Sequence, residues 1–259
     1  MNMNEKTFHL VLQAKGGIGK SLTASILAQY FLNHGDSVTA IDGDPSSPTI
    51  SAIPGLNAVA LQIVDQDEIN PRRFDEMMET VIEAEEGAQI VCDIGASSYI
   101  AFVSYLAQNH AIELLQDSDI RVLIHSPICG GQAFEETLNG LAAMIDLFVT
   151  AEFVVWENEF FGPVSRNGLA FRESKFYLRY ADRIVQFLSH PRVHQATFGE
   201  DMREMMQRKL TFDAAIASPD FNIMARQRLK QIWTAHCKQL DGSILSVDDT
   251  VEAVEEAAQ

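Results

Sequence analysis

The sequence has few cysteines and few basic residues. Its 259 residues include 3 cysteines, and 19 lysines and arginines stand against 36 aspartates and glutamates, so the formal net charge is −17. Cys92, Cys129 and Cys237 are far apart and match neither a zinc-ligand pattern nor a disulfide framework. The excess of negative charge opposes non-specific binding to nucleic acid or to an anionic membrane. We therefore expect a cytoplasmic protein with reduced cysteines that does not bind DNA directly.

Long uncharged apolar segments are also absent. The most apolar long window, residues 140–156, contains Asp146 and Glu152 and does not match a membrane-spanning helix. The first residues, 1–6, lack an export signal. The seven histidines show no metal-ligand spacing, and the chain has no internal repeat. These absences favour a cytoplasmic protein without a membrane anchor.

One stretch departs from the acidic balance of the chain. Its basic residues are Arg166, Arg172, Lys175, Arg179 and Arg183. Such a cluster is either a solvated helix face or a local nucleic-acid site, and we favour the helix face.

The most informative stretch is the glycine-rich segment at residues 14–21, Ala-Lys-Gly-Gly-Ile-Gly-Lys-Ser. The apolar run at 8–13 predicts a buried strand before it, and 22–32 predicts an amphipathic helix that stops at Gly35. Strand, glycine loop, Gly-Lys-Ser and helix form the context of a phosphate-binding P-loop. The predicted nucleotide-binding residues are Gly16, Gly17, Ile18, Gly19, Lys20, Ser21 and Leu22.

Each part of this segment has a chemical role in a P-loop. Lys20 would reach the β- and γ-phosphates of ATP, and the Ser21 hydroxyl would bind Mg²⁺. The alternatives are a glycine-rich turn that binds nothing and a dinucleotide-binding turn that begins at Gly17, with Asp42 at a suitable distance. The dinucleotide alternative fails because Leu22 stands where its third glycine belongs.

Two later strands end in aspartate. The strand at 37–41 leads into Asp42 and Asp44, and the strand at 88–92 leads into Asp93 and Gly95. The second pattern is typical of a Walker B strand, in which Asp93 would hold Mg²⁺ through a water and the Gly95 N–H would contact the γ-phosphate. The pattern at Asp42 and Asp44 has two interpretations. It is either a turn whose aspartates cap backbone N–H groups, or part of the nucleotide site, with Asp42 near the Mg²⁺ shell. Its distance from the P-loop favours the nucleotide site.

The rest of the chain alternates between strands and helices. We predict helices at 72–84, 131–145, 175–188, 202–210 and 222–240, strands at 119–126 and 151–157, and a short strand and loop at 193–199. Phe160 and Phe161 are expected in the core, and the 193–199 segment is expected to close over the nucleotide base. The alternation predicts an α/β, three-layer P-loop NTPase fold, with a mostly parallel twisted sheet and helices on both faces. Residues 1–246 form one predicted domain, followed by an acidic, flexible tail at 247–259.

The glycine-rich segment resembles the deviant Walker A loop of the ParA/MinD class of P-loop ATPases, because it carries an extra lysine, Lys15, before its first glycine. The likeness extends to the TraL group of plasmid conjugal-transfer proteins. It is carried by Val11–Ser21, Asp93–Ala96, Val155–Gly162 and Leu210–Asp213. The resemblance implies a cytoplasmic ATPase that binds ATP and Mg²⁺ and forms a homodimer around two nucleotides. It would serve conjugative transfer through conjugation or plasmid-maintenance proteins.

The resemblance also implies roles for single residues. Lys15 would cross the dimer interface to the partner's nucleotide, Asp44 would position the attacking water, and Asn158 would bind the adenine edge. The alternatives are a solvated surface charge for Lys15 and a turn asparagine for Asn158. The chain departs from the family in three places. Ala14 replaces the first loop glycine, Gly95 and Ala96 replace two prolines, and an acidic C-terminus replaces the basic amphipathic one of MinD-type proteins. The acidic end argues against membrane binding.

Three functions remain open from the sequence. The first is a dimeric ATPase switch in conjugation, and the second is a DNA-bound partition ATPase, which a salt-sensitive DNA shift would reveal. The third is a small-molecule kinase or synthetase that shares the loop, whose nucleotide turnover would rise with its substrate.

Overall fold

Most of the strands pair side by side in one central sheet. The computed structural model describes residues 5–166 and 168–246. Its strands are β1 (Lys6–Val11), β2 (Val38–Gly43), β3 (Val59–Ala60), β4 (Val64–Asp65), β5 (Glu68–Ile69), β6 (Gln89–Ile94), β7 (Ile120–Cys129), β8 (Glu152–Asn158), β9 (Ser165–Arg166), β10 (Leu169–Ala170) and β11 (Ile184–His190). The two short pairs, β4–β5 and β9–β10, are antiparallel ribbons outside the sheet.

The central sheet has the order β11-β8-β7-β1-β6-β2-β3, and its neighbouring strands are paired in parallel. Val11 at the end of β1 is in register with Asp93 on β6, and Asp93 is in register with Asp42 on β2. Parallel strands present their carboxyl ends at the same edge of a sheet, where the ligands of such folds bind. The glycine-rich loop and both aspartate-bearing segments therefore meet at one edge.

Helices cover both faces of the sheet. They are α1 (Lys20–His34), α2 (Phe74–Glu83), α3 (Tyr99–Gln108), α4 (Ala111–Asp117), α5 (Phe134–Leu147), α6 (Lys175–Tyr180), α7 (Glu200–Gln207), α8 (Phe212–Ala217) and α9 (Ile223–Asp241). One apolar cluster packs α2 to α6 against the sheet face that carries Phe8 and Leu10. A second cluster packs α1, α8 and α9 against the face that carries Val11 and Val154. These are the predicted three layers.

Helix α1 lies in the middle of the second layer and is buried on nearly all sides from Thr23 to Phe31. It ends at Gly35, as predicted, with φ 83° and its N–H directed to the carbonyls of the last turn. A helix buried all round is held by packing rather than by one apolar stripe. This packing fixes the position of the loop that precedes it.

Two predicted elements are wrong in the second half of the chain. The helix expected at 175–188 ends at Tyr180, and Ile184–His190 forms the edge strand β11. Short apolar runs suit both structures, and here pairing with β8 satisfies the backbone groups. The short strand expected within 193–199 does not form, and a loop leads into a π-helical turn at Gln195–Gly199. The N–H groups of Thr197 and Gly199 bond to the His194 carbonyl, so these backbone groups are paired within the turn rather than with a strand.

Several side chains also differ from their predicted environment. Phe160 and Phe161, expected in the core, are 47% and 51% exposed and pack edge to face on each other. Ile82 and Met224 are exposed although they fit apolar helix faces. The predicted acidic tail, 247–259, lies outside the described residues, so the division into domain and tail stays a prediction.

Candidate functional site

Lys20 lies buried at the start of α1, directly after the glycine-rich loop. Its ammonium group donates a hydrogen bond to the Lys15 backbone carbonyl at 2.9 Å, so the side chain folds back over the loop. Gly17 and Gly19 have φ angles of 73° and 97°, in the left-handed region that favours glycine. A loop of this kind at a helix N-terminus offers backbone N–H groups and a positive partial charge to an anion.

The charge of Lys20 is compensated by nearby carboxylates. Burial lowers the pKa of the Lys20 ammonium, while the negative charges of Asp93 and Asp44 act in the opposite direction. The ammonium therefore lies in a partly dehydrated site, where its interaction with a phosphate is stronger than in water.

Asp93 ends the predicted Walker B strand as a buried carboxylate without a hydrogen-bond partner at either oxygen. Burial raises its pKa to about 6, and the charges of Asp42 and Asp44 add to that effect. The nearby Ser21 hydroxyl and the positive charge of Lys20 lower the same pKa. The Ser21 hydroxyl lies beside the carboxylate but forms no hydrogen bond with it in this structure. Buried carboxylates are normally paired or bound to a cation.

The donor set around Asp93 fits Mg²⁺. Mg²⁺ prefers hard oxygen ligands, keeps several waters and is held by one or two carboxylates and hydroxyls beside substrate phosphates. Asp93 supplies a carboxylate with both oxygens unpaired, and the neighbouring Ser21 supplies a hydroxyl. These two residues would hold the ion, which would neutralise charge on the β- and γ-phosphates when bound.

The Asp42 carboxylate is already engaged by the loop that follows β2. One oxygen, Oδ1, accepts from the Asp44 N–H at 3.1 Å. The other, Oδ2, accepts from the Thr49 N–H at 2.8 Å and from both the N–H and the hydroxyl of Ser51, at 2.9 and 2.8 Å. Asp42 therefore organises the 44–51 loop, and its assignment to the Mg²⁺ shell stays a prediction.

Asp44 is held in that loop against Gly95. Its Oδ1 accepts from the Ser46 N–H and hydroxyl at 3.0 and 2.7 Å, and from the Ser47 N–H at 3.1 Å. A Cβ added to Gly95 would lie 2.2 Å from the Asp44 Cγ, so a side chain at 95 would displace the carboxylate. The two segments predicted to surround the γ-phosphate are therefore in contact.

Asn158 lies at the end of β8 and is buried against the glycine-rich loop. Its Nδ2 donates to the Ile18 carbonyl at 2.9 Å, and its Oδ1 accepts from the Phe160 N–H at 3.0 Å. The same Nδ2 would lie 3.0 Å from a Cβ at Gly19. The side chain thus ties the loop to β8, and contact with the adenine edge stays a prediction.

A cavity of about 440 Å³ opens beside the loop. It lies between the loop, the 158–161 segment, the 190–199 segment and helices α7 and α9. Its lining residues include Gly17, Leu22, Asn158, Phe160, Phe161, His190, Val193, Phe198, Met202, Ile232 and His236. Large apolar surfaces with a few polar groups are typical of ligand sites. The 193–199 segment reaches this cavity, and its closure over a nucleotide base stays a prediction, whereas the contribution of α9 has no signal in the sequence.

Buried histidines connect the cavity to the sheet. The Thr23 hydroxyl bonds to His190 Nε2 at 2.8 Å, His190 Nδ1 to His236 Nε2 at 3.2 Å, and His236 Nδ1 to the Ile232 carbonyl at 2.9 Å. Because the carbonyl can only accept, His236 Nδ1 and His190 Nδ1 carry the protons and Thr23 is the donor. Burial lowers the pKa of both histidines, so they are neutral.

A second row of polar side chains crosses the strands on the same face. Trp156 Nε1 donates to His125 Nδ1 at 3.0 Å, His125 Nε2 lies 3.0 Å from His9 Nδ1, and His9 Nε2 lies 2.8 Å from Gln89 Oε1. The Trp156 N–H can only donate and Gln89 Oε1 can only accept, so the tautomers of His125 and His9 are fixed. Each N–H of the row therefore donates to the next residue in the direction of Gln89. Trp156 also stacks on His190, which joins the two rows.

Lys15 is the one predicted catalytic residue whose side chain leaves the site. Its ammonium pairs with Glu136 on α5 at 2.9 Å.

Among the described residues, 5–166 and 168–246, no helix has the length and hydropathy to span a membrane.

Comparisons with known sequences agree with this geometry. The model of the CobQ/CobB/MinD/ParA nucleotide binding domain matches residues 10–126. The chain is 38% identical over 236 residues to an Escherichia coli protein called Protein TraL, covering 91% of this chain and 97% of that protein. It is 27% identical over 143 residues to a light-independent protochlorophyllide reductase iron-sulfur ATP-binding protein from Synechococcus, covering 51% and 47% of the two chains.

Solved structures show the same fold. The MinD cell division protein of Aquifex aeolicus aligns with a TM-score of 0.51 and 14% identity, over 92% of this chain and 97% of that one. MinD in the MinC:MinD complex of Aquifex aeolicus aligns with a TM-score of 0.53 and 14% identity, over 94% and 98%. The predicted three-layer P-loop NTPase fold is therefore confirmed.

Proposed function

Because the chain belongs to the TraL family and carries the CobQ/CobB/MinD/ParA nucleotide-binding domain, we propose that it is a magnesium-dependent ATPase. It acts in the cytoplasm as a switch of conjugative plasmid transfer. It dimerises around two ATP molecules and works through protein partners. The observation that carries the proposal is the buried, unpartnered carboxylate of Asp93 beside Lys20 and Ser21.

The residues of the site divide the work of hydrolysis. The loop backbone and Lys20 bind the phosphates, and Ser21 and Asp93 hold the ion. Asp44 accepts a hydrogen bond from the water that attacks the γ-phosphorus, and ADP leaves with its β-phosphate held by the loop. The Gly95 N–H contacts the γ-phosphate. Departure of the γ-phosphate after hydrolysis would therefore release the Asp44 segment, which lies against Gly95. Positioning and charge compensation supply most of the catalysis in such reactions.

Lys15 supplies charge from a second copy. Lys20 already neutralises the nucleotide of its own protomer, so a second lysine five residues earlier needs a different partner. In the dimer its ammonium lies against the partner's phosphates and stabilises the charge that builds there during transfer. Dimerisation then depends on ATP, since two facing ammonium groups without phosphate between them repel.

Direct DNA binding receives little support from the basic stretch at 166–183. Arg172 pairs with Glu157 at 2.8 Å and lies over the Phe187 ring. Arg183 donates to the carbonyls of Phe148 and Ala151. The side chain of Arg166 lies outside the described part of the chain. With Arg172 and Arg183 engaged internally and a net charge of −17, we expect protein partners instead.

The proposal is tested by titrating the chain with a non-hydrolysable ATP analogue, in Mg²⁺ and in EDTA, while light scattering reports mass. Wild type should bind more tightly in Mg²⁺ and dimerise. Lys20→Ala should lose at least tenfold in affinity, because it removes the point charge on the phosphates. Lys15→Ala should bind the analogue with near wild-type affinity but stay monomeric.

Glu204→Gln is a suitable control, since Glu204 pairs with Arg208 on the surface of α7. It should behave as wild type in both readouts. Equal affinity of wild type and Lys20→Ala would remove the P-loop assignment. Normal dimerisation of Lys15→Ala with the analogue would remove the role of that lysine across the interface.

A further inference from the structure

The two carboxylate oxygens of Asp44 have different surroundings. Oδ1 accepts from the N–H and the hydroxyl of Ser46, at 3.0 and 2.7 Å, and from the Ser47 N–H at 3.1 Å. Within residues 5–166 and 168–246, every hydrogen bond to this carboxylate goes to Oδ1 and none to Oδ2. A carboxylate oxygen has about two lone-pair sites, so Oδ1 is saturated and Oδ2 keeps its acceptor capacity.

The Asp44 carboxylate lies beside the groups assigned to the phosphates and the ion. It packs so closely on Gly95 that a Cβ there would lie 2.5 Å from either oxygen. Burial is the largest influence on the pKa of Lys20 and on that of Asp93, and the negative charge of Asp44 acts to raise both. Oδ2 is therefore a free acceptor at the edge of the proposed reaction site.

The Ser97 hydroxyl supports Ser46 from the segment that follows Asp93. The hydroxyl oxygens of Ser46 and Ser97 are 3.1 Å apart. Ser46 has one hydroxyl proton, which is directed to Asp44, so Ser97 is the donor in this pair. The Ser97 hydroxyl is also 3.5 Å from Asp44 Oδ1, at the long end of hydrogen-bond distances. Ser97 therefore acts on the carboxylate mainly through Ser46.

The segment that carries Ser97 is fixed to the end of β2 by its neighbour, Ser98. The buried Ser98 hydroxyl lies 2.8 Å from the Gly43 carbonyl and 3.2 Å from the Gly95 carbonyl. This buried contact joins the backbone on both sides of the Asp44 carboxylate. Ser97 is thus presented to Ser46 from a fixed support, although both of these hydroxyls are on exposed residues.

We propose that Ser97 is a positioning residue for Asp44, because it holds the Ser46 hydroxyl on Oδ1 and leaves Oδ2 to accept the hydrogen bond from the attacking water. The inference rests on the ATPase proposed above and adds the residues that orient its water-positioning carboxylate. Without Ser97, the Ser46 hydroxyl can turn to solvent and the carboxylate keeps only backbone donors. Neither serine belongs to the groups assigned to the phosphates or the ion, so nucleotide binding should not change.

The expected effect follows from the kind of hydrogen bond that is lost. A hydrogen bond between neutral groups changes a rate by about 2- to 13-fold, and one to a charged group by about 13- to 160-fold. Ser97→Ala should therefore lower kcat for ATP by about 2- to 13-fold, and Ser46→Ala should lower it further. KM should stay the same, because the lost contact orients the water and does not bind ATP.

The experiment measures phosphate release against ATP concentration in Mg²⁺. It compares wild type with Ser97→Ala, with Ser97→Thr and with the control Ser118→Ala. The Ser118 hydroxyl donates to the Leu114 carbonyl at 2.9 Å and is on an exposed residue that precedes β7, at the opposite edge of the sheet from the site. Ser118→Ala should match wild type, and Ser97→Thr should match it within about twofold because it keeps the hydroxyl.

A double variant separates positioning from general damage to the loop. If Ser97 acts through Ser46, adding Ser97→Ala to Ser46→Ala should lower kcat little further, whereas independent effects would multiply. Multiplied effects, a change in KM instead of kcat, or a match between Ser97→Ala and Ser118→Ala would each refute the inference, while the proposed function would stand. If wild type releases no phosphate, or if Asp44→Ala releases it normally, the water-positioning role fails and the inference fails with it.

Discussion

Replacing Asp93 with asparagine should stabilise the nucleotide-free chain at pH 7, even though it should abolish Mg²⁺ binding. The carboxylate is buried without a partner, which raises its pKa to about 6 from the ordinary 3.8. At 1.36 kcal/mol for each pH unit, this difference corresponds to about 3 kcal/mol of free energy of unfolding. The attraction of Lys20 is already included, because it acts on the same pKa.

The sign follows from the direction of the pKa. A group with a raised pKa in the folded state binds its proton more tightly when folded. The stability that this proton brings is complete below pH 3.8 and is lost as the pH rises through about 6. Asparagine does not titrate, so the variant should exceed wild type by about 3 kcal/mol at pH 7 and by little near pH 4.

The assay is urea unfolding in EDTA at both pH values, followed by circular dichroism. Asp42→Asn is the matched control, because Asp42 is equally buried but accepts hydrogen bonds at both oxygens. It should lose about 1 to 3 kcal/mol at pH 7, since an amide nitrogen cannot accept them. A decrease in stability of Asp93→Asn at pH 7 would refute the reasoning. The carboxylate would then be a structural partner rather than a cation ligand.

Three further predictions concern turnover and acid stability. Asp44→Ala should keep ATP binding but lose most phosphate release and accumulate an ATP-bound dimer, and normal release would leave the water-positioning role without support. Gly95→Ala should also lose most phosphate release, because its Cβ would displace the Asp44 carboxylate, and wild-type turnover would contradict the close approach of Gly95 to Asp44. Burial lowers the pKa of His9 to about 4 from 6.5, so its contribution to stability, present above pH 6.5, should fall by about 3 kcal/mol as the pH drops to 4. Urea midpoints of Asp93→Asn, in which the opposing carboxyl does not titrate, follow this loss together with those of His125, His190 and His236, whose pKa values burial also lowers, and a flat profile would exclude neutral buried histidines.

The sequence predicts the elements of the first half of the sheet well, because its signals are local. The glycine-rich loop, Lys20 and the strand that ends at Asp93 each follow from contiguous residues, and parallel pairing brings their ends together. Gly35 ends α1 as its position in the pattern indicates.

The remainder depends on contacts between distant segments. Ile184–His190 has a pattern that fits a helix or a strand, and only the free edge of β8 decides between them. The exposed pair Phe160 and Phe161 shows the same limit, since composition alone places aromatics in the core. Nothing in the sequence indicates that Glu136 meets Lys15, because these two common charged side chains lie far apart along the chain.

The row of polar side chains from Trp156 to Gln89 has a consequence for how the strands align. Parallel strands rich in valine, isoleucine and leucine bury similar surfaces when one slips by two residues, so apolar packing alone specifies their register weakly. Here β6, β1, β7 and β8 each contribute one side chain, and each donor meets one acceptor. A slip of any one strand would bury an unmatched donor or acceptor, at a cost of about 1 to 3 kcal/mol for each group. The hydrogen bonds of the row therefore specify one register for these four strands. That register also fixes the position of the loop that follows β1.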